Sequence, residues 1–161
     1  SIGSGMGIGA LEDLVQFASE IEIDGEPAID DRQVREQIAD YIVKARGLKN
    51  TSLRTLTALS KGLPPGPEAS MGKLVGALLQ QEASSFAMDL AGTYGALLDE
   101  EATPASAAWQ ERYLALPGLR IAGGTDEVLR NIIAERVMGL PSDARADKGV
   151  AFRDIPSGPP S

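Results

Sequence analysis

Apolar residues recur at three- and four-residue spacing through most of this chain, and clusters of glycine and proline cut the pattern into separate lengths. A chain of that kind forms helices with one apolar stripe each, and those stripes leave water only by packing on one another. Ile8, Leu11, Leu14, Val15 and Ala18 form the stripe of a first helix over 6–20. The acidic stretch 20–30 contains Asp24-Gly25, a turn signal. Asp30 or Asp31 caps a second, long helix to about Lys61, with Val34, Ile38, Tyr41, Ile42, Ala45, Leu48, Leu53, Leu56 and Leu59 on its apolar face. Gly47 and Asn50 weaken its middle and mark where it can kink.

Gly62-Leu63-Pro64-Pro65-Gly66-Pro67 is a hard break. Pro67 suits the first turn of a third helix, and Glu68 complements its dipole. Its stripe is Met71, Leu74, Val75, Leu78, Leu79, Phe86, Ala87, Leu90 and Tyr94. After a polar linker over 98–104, Thr103 is placed to cap a short helix from Pro104 to Leu116, which carries Tyr113 and the single tryptophan, Trp109, a core or interface residue. Pro117-Gly118 ends that helix. The expected fold is all-α, an antiparallel four-helix bundle over residues 1–141, with 142–161 as a flexible polar tail rich in Pro and Gly.

The last apolar stretch is the most informative one. Gly123-Gly124 forms a turn open to close approach, Thr125 is a good N-cap, and Asp126 and Glu127 put negative charge in the first turn of a helix. Val128, Leu129, Ile132, Ile133 and Val137 supply one face; Gly139 stands at a C′ position and Pro141 stops continuation. Such an N-terminus holds a phosphate or a hydroxyl, or simply caps a core helix.

Composition removes several function classes. The chain has 161 residues, no cysteine and no histidine, so disulfides, thiol nucleophiles, Cys/His zinc sites and histidine triads are absent from it. Proton transfer within it falls to Asp, Glu, Lys or Tyr. A net charge of −8 argues against nucleic acid, which demands a basic footprint. No run approaches the roughly 20 apolar residues of a membrane span. Ser1-Ile2-Gly3-Ser4-Gly5 lacks the basic region of a signal peptide and does not read as a natural start, and the cysteine-free composition fits a cytoplasmic location. Arg32, Arg35, Lys44, Arg46, Lys49 and Arg54 make the second helix basic, either as a solvated face or as a contact for a domain, a subunit or a CoA phosphate.

Gly124-Thr125-Asp126-Glu127-Val128, followed by Arg130 to Arg136 and Gly139-Leu140-Pro141, resembles the C-terminal motif of the acyl-CoA dehydrogenases. Gly66 to Leu74 resembles the bacterial branches of the same family. The resemblance implies the C-terminal helical domain of an enzyme that uses FAD to remove two hydrogens from an acyl-CoA thioester. It implies flavin contact at Gly124, Thr125 and Glu127, and at Gly92 and Gly95, which match the family's Gln-x-x-Gly-Gly-x-Gly stretch with Asp89 for the Gln and Thr93 for the second Gly. It also implies assembly with the parent's N-terminal and β domains, a homo- or hetero-oligomer, and an electron-transfer partner.

Two further departures matter. Of the family's Arg-x-x-Phe-Gly pattern only Gly25 is kept, with Ile21 and Asp24 in place of Arg and Phe. Gly123 stands where many members carry the catalytic Glu, and glycine takes no proton. No catalytic residue is therefore assigned: the base is expected upstream of Ser1 or in a partner subunit, with Glu12 and Asp13 as minor candidates within the chain. The isolated chain is expected not to turn over acyl-CoA. The rival reading is a helical scaffold subunit that lacks the base and pairs with a catalytic partner.

Overall fold

The computed structural model describes residues 8–64, 66, 69–142, 147 and 149–155. Among them are five α-helices: α1 (Ile8–Glu20), α2 (Arg32–Ser60), α3 (Ala69–Leu90), α4 (Ala108–Ile121) and α5 (Asp126–Arg136). The all-α expectation holds, apart from a two-residue hairpin, β1 (Glu22–Ile23) and β2 (Glu26–Pro27). The hairpin follows from Asp24-Gly25: both residues take positive φ, 54° and 88°, which matches the twist a two-residue turn demands.

Helix α3 is the central post, packed against α1, α2, α4 and α5. Its inward residues are small, Ala77, Ala83 and Ala87, so the neighbouring helices approach closely around the fully buried Leu79. Leu11, Leu14, Phe17 and Ala18 of α1 and Val34, Ile38, Tyr41 and Ala45 of α2 close the core, joined by Trp109 of α4. The rings of Phe17 and Trp109 lie 5.8 Å apart, which places the tryptophan in the core. Phe17 falls outside the stripe read from spacing, because α1 is covered on two sides and buries a wider face.

Helix α2 is capped by Asp31, whose carboxylate accepts from the N–H groups of Gln33 and Val34 at 2.8 and 3.0 Å. It runs on through Gly47 and Asn50 as one helix to Ser60. Its buried stripe ends at Ala45; beyond that point Leu53, Leu56 and Leu59 continue it into solvent. Pro67 and Glu68, read as the start of α3, lie outside the described residues.

Two boundaries differ from expectation. Thr103 caps nothing with its side chain, because its hydroxyl donates to the Asp99 carbonyl at 2.6 Å. The chain then makes a short turn through Ala105, Ser106 and Ala107, all at positive φ, before α4 begins at Ala108. Helix α4 also does not stop at Pro117; it continues through the proline to Ile121. Proline deletes one N–H bond, but its fixed φ is helical. The buried Leu116 before it and the contacts of Arg120 after it hold the last turn. Helix α5 ends at Arg136 with Val137 as its C-cap, and Gly139, with φ 69°, turns the chain so that the Leu140 N–H reaches the Ala134 carbonyl at 3.0 Å.

Candidate functional site

Between α4 and α5 the backbone changes hand twice. Gly123 and Gly124 have φ of 71° and 110°, a region that side chains with a Cβ rarely enter. Thr125 returns to extended geometry and caps α5: its hydroxyl oxygen accepts from the Val128 N–H at 3.4 Å, and its carbonyl from the Leu129 N–H at 3.0 Å. Leu129 is buried and anchors the helix start. The exposed Glu127 carboxyl is held below its ordinary value near 4.5, first by its own backbone N–H and then by the Thr125 hydroxyl, both of which stabilise the anion. The N–H of Asp126 has no helical carbonyl within reach and that of Glu127 is engaged by its own carboxyl, and the turn stands at the positive end of the α5 dipole.

Helix α3 grips this turn at two places. The Lys73 ammonium donates to the Gly124 carbonyl across 51 residues of sequence. A Cβ on Gly123 would lie 3.8 Å from the same nitrogen. Eight residues further along α3, Gln81 accepts from Arg120 Nη1 at 3.2 Å. Arg120 also donates through Nε to Asp126 Oδ2 at 2.8 Å, and through Nη2 to the same oxygen. The Asp126 side chain is 8% exposed, and its hydrogen bond to Arg120, followed by its charge, raises the affinity of that guanidinium for its proton. Lys73, Gln81 and Arg120 were not legible as site residues; from spacing alone Lys73 reads as a surface cation.

The other glycine pair lies elsewhere. Gly92 and Gly95 belong to a 3-10 turn just past the end of α3, and the 17 residue steps from Lys73 to Leu90 span about 25 Å of helix. Within one chain, the five residues expected at the cofactor thus fall into two groups at opposite ends of α3. Gly95 is buried, and a Cβ there would sit 2.2 Å from the Met88 carbonyl oxygen. Backbone packing alone therefore demands glycine at 95. Gln110 donates to the Tyr94 carbonyl at 3.1 Å and fixes this turn against α4.

Neither of the two candidate bases on α1, Glu12 and Asp13, is enclosed. Asp13 pairs with Arg112 of α4 at 2.7 Å, and that guanidinium lies 4.8 Å from the centroid of the Trp109 ring. Glu12 is exposed. Among the described residues no cluster of acidic side chains has metal-ligand geometry, and no helix is long and apolar enough to cross a membrane.

A family model for the acyl-CoA dehydrogenase C-terminal domain matches residues 2–138. The acyl-CoA dehydrogenase IpdE1 of Mycolicibacterium smegmatis is 31% identical over 118 residues, covering 73% of this chain and 28% of that protein. IpdE1 of Mycobacterium tuberculosis is also 31% identical over 118 residues, which are 29% of its length. The chain therefore spans less than a third of these relatives. Among solved structures, the ChsE4-ChsE5 complex of Mycobacterium tuberculosis superposes with a TM-score of 0.74 at 28% identity, over 89% of this chain and 37% of the matched one. Butyryl-CoA dehydrogenase of Megasphaera elsdenii shares the fold, with a TM-score of 0.67 at 19% identity over 83% and 33% of the two chains. The chain belongs to the acyl-CoA dehydrogenase family and corresponds to its C-terminal domain.

Proposed function

We propose that this chain is the C-terminal part of an FAD-dependent enzyme that removes two hydrogens from an acyl-CoA thioester, and that the 123–127 turn faces the flavin. The observation that carries the reading is the turn itself. Its two glycines are at positive φ, Gly123 is exposed and meets nothing but the Lys73 ammonium where a Cβ would stand, and the turn lies at the positive end of the α5 dipole. This is an open backbone edge on which a flat ring system can lie.

FAD, when bound, supplies the hydride-accepting ring. Gly124, Thr125 and Glu127 line and orient that edge of the site. Gly92 and Gly95, at the far end of α3, serve a second flavin site across a subunit contact. The fit is partial. Glu22, Asp24 and Glu26 make the hairpin acidic, and Asp24 takes the turn position where the family carries Phe, so this loop repels a pyrophosphate. Asp89 adds a negative charge where the family carries a neutral amide.

No residue at 123 takes a proton, and Asp13 is engaged by Arg112. The base for the substrate's α-proton therefore comes from the polypeptide upstream or from a partner subunit. These absences favour a second reading, in which this subunit scaffolds a catalytic partner within a heteromer. Either assembly uses the α2 extension. Residues 41–67 carry five cations and no carboxylate in a chain of net charge −8, and they display Leu53, Leu56, Leu59 and Leu63. That surface suits the acidic body of another subunit of this fold. The soluble oligomer works in the cytoplasm with an electron-transfer partner. The test is flavin-dependent oxidation of a panel of acyl-CoAs by the polypeptide bearing this domain together with its flavin- and substrate-binding domains. Turnover by that polypeptide alone supports the enzyme; turnover only after mixing with a partner subunit supports the scaffold.

A further inference from the structure

We infer that Lys73 is a positioning residue that sets the geometry of the flavin-facing turn, with the Arg120–Asp126 pair as its counterpart on the other side. The inference rests on the proposed cofactor role of that turn. Gly124 lies before the first helical carbonyl of α5, that of Thr125, so its own carbonyl takes no part in the helix ladder. The half-buried Lys73 side chain supplies its partner. The bond is charge-assisted, and it joins the least constrained backbone of the region, two glycines at positive φ, to the central helix.

The second grip lies two helical turns further along α3, where Gln81 steadies Arg120 and Arg120 holds the Asp126 carboxylate. Lys73 therefore fixes the carbonyl before the cap, and Arg120 fixes the first residue after it. Between them only Thr125 remains, and its hydroxyl accepts from the Val128 N–H and donates to the Glu127 carboxyl. The turn is held in one shape before any ligand arrives, which lowers the ordering cost of binding.

The test uses the polypeptide carrying this domain with its flavin-binding domains, titrated with FAD and followed by flavin fluorescence and the visible band. Binding by the unsubstituted protein is required first; its absence would count against the cofactor reading and overturn this inference with it. Given binding, Lys73→Met is expected to weaken FAD affinity about tenfold or more and to change the shape of the flavin band, and Lys73→Arg to restore most of both. Leu14→Ala, in the core on α1 and away from the turn, serves as the control for general destabilisation: it should lower thermal stability and keep the native band shape. A Lys73→Met protein with unchanged affinity and band shape would overturn the inference. So would one whose losses the Leu14→Ala control reproduces.

Discussion

Arg120 Nε lies 2.8 Å from Oδ2 of Asp126, six residues later, and the two side chains bridge the gap between α4 and α5. The carboxylate is buried and the guanidinium half exposed, so the partners are unequal. Arg120→Met should lower the unfolding midpoint by leaving Asp126 charged, enclosed and unpaired; Asp126→Leu alone should cost less. The double variant should recover most of the loss from Arg120→Met. Thermal unfolding of the four proteins measures the coupling, and simple additivity would show that the pair does not hold the turn.

Glu127 gives the turn a pH signature. Its folded affinity for a proton is depressed below the ordinary value near 4.5. A depressed carboxyl stabilises the fold above its unfolded value and loses that contribution as pH falls through its folded value. The stability gap between the unsubstituted chain and Glu127→Gln should therefore be full above about pH 5 and close below pH 4.5. Urea unfolding at a series of pH values reads the gap; one that widens on acidification would contradict the assignment.

Gly95 is constrained by its own backbone before any ligand is considered. Its Cβ position overlaps the Met88 carbonyl oxygen at 2.2 Å, and a main-chain atom at the end of a packed helix has little room to yield. Gly95→Ala should cost about 3 kcal/mol, while Gly92→Ala, which meets no atom within 4 Å, pays only for its positive φ, about 1 kcal/mol. Denaturant unfolding of both variants tests the order.

The uncovered end of α2 should govern association. Leu56 and Leu59 are 57% and 45% exposed and continue the buried face of their helix. Leu56→Glu with Leu59→Glu should lower the oligomeric mass seen by light scattering and leave the helical circular dichroism intact. An unchanged mass would place the subunit contact elsewhere.

Much of this fold is legible in sequence because it is periodic. The α2 cap at Asp31, its end near Lys61 and the cap of α5 at Thr125 follow from local chemistry that acts over two or three residues. What was not legible depends on distance. Lys73 finds its acceptor 51 residues away, and a lysine gives no local sign of where its ammonium will rest. Pro117 signals a helix end, and it is overridden by the anchoring of Leu116 and Arg120, which only the packed structure reveals. The glycines expected to contact flavin are set by two physical demands, positive φ at 123 and 124 and close packing at 95, and composition does not tell these apart.

The most direct test of the cofactor reading is size-exclusion chromatography with light scattering of the polypeptide that carries this domain with its flavin-binding domains, reading flavin absorbance across the protein peak. The proposed role predicts an oligomer with FAD co-eluting, and loss of that absorbance when Thr125 is replaced by Pro or Gly124 by Val, because both changes destroy the turn. Full flavin retention by both variants would contradict a role for the 123–127 turn in holding the cofactor.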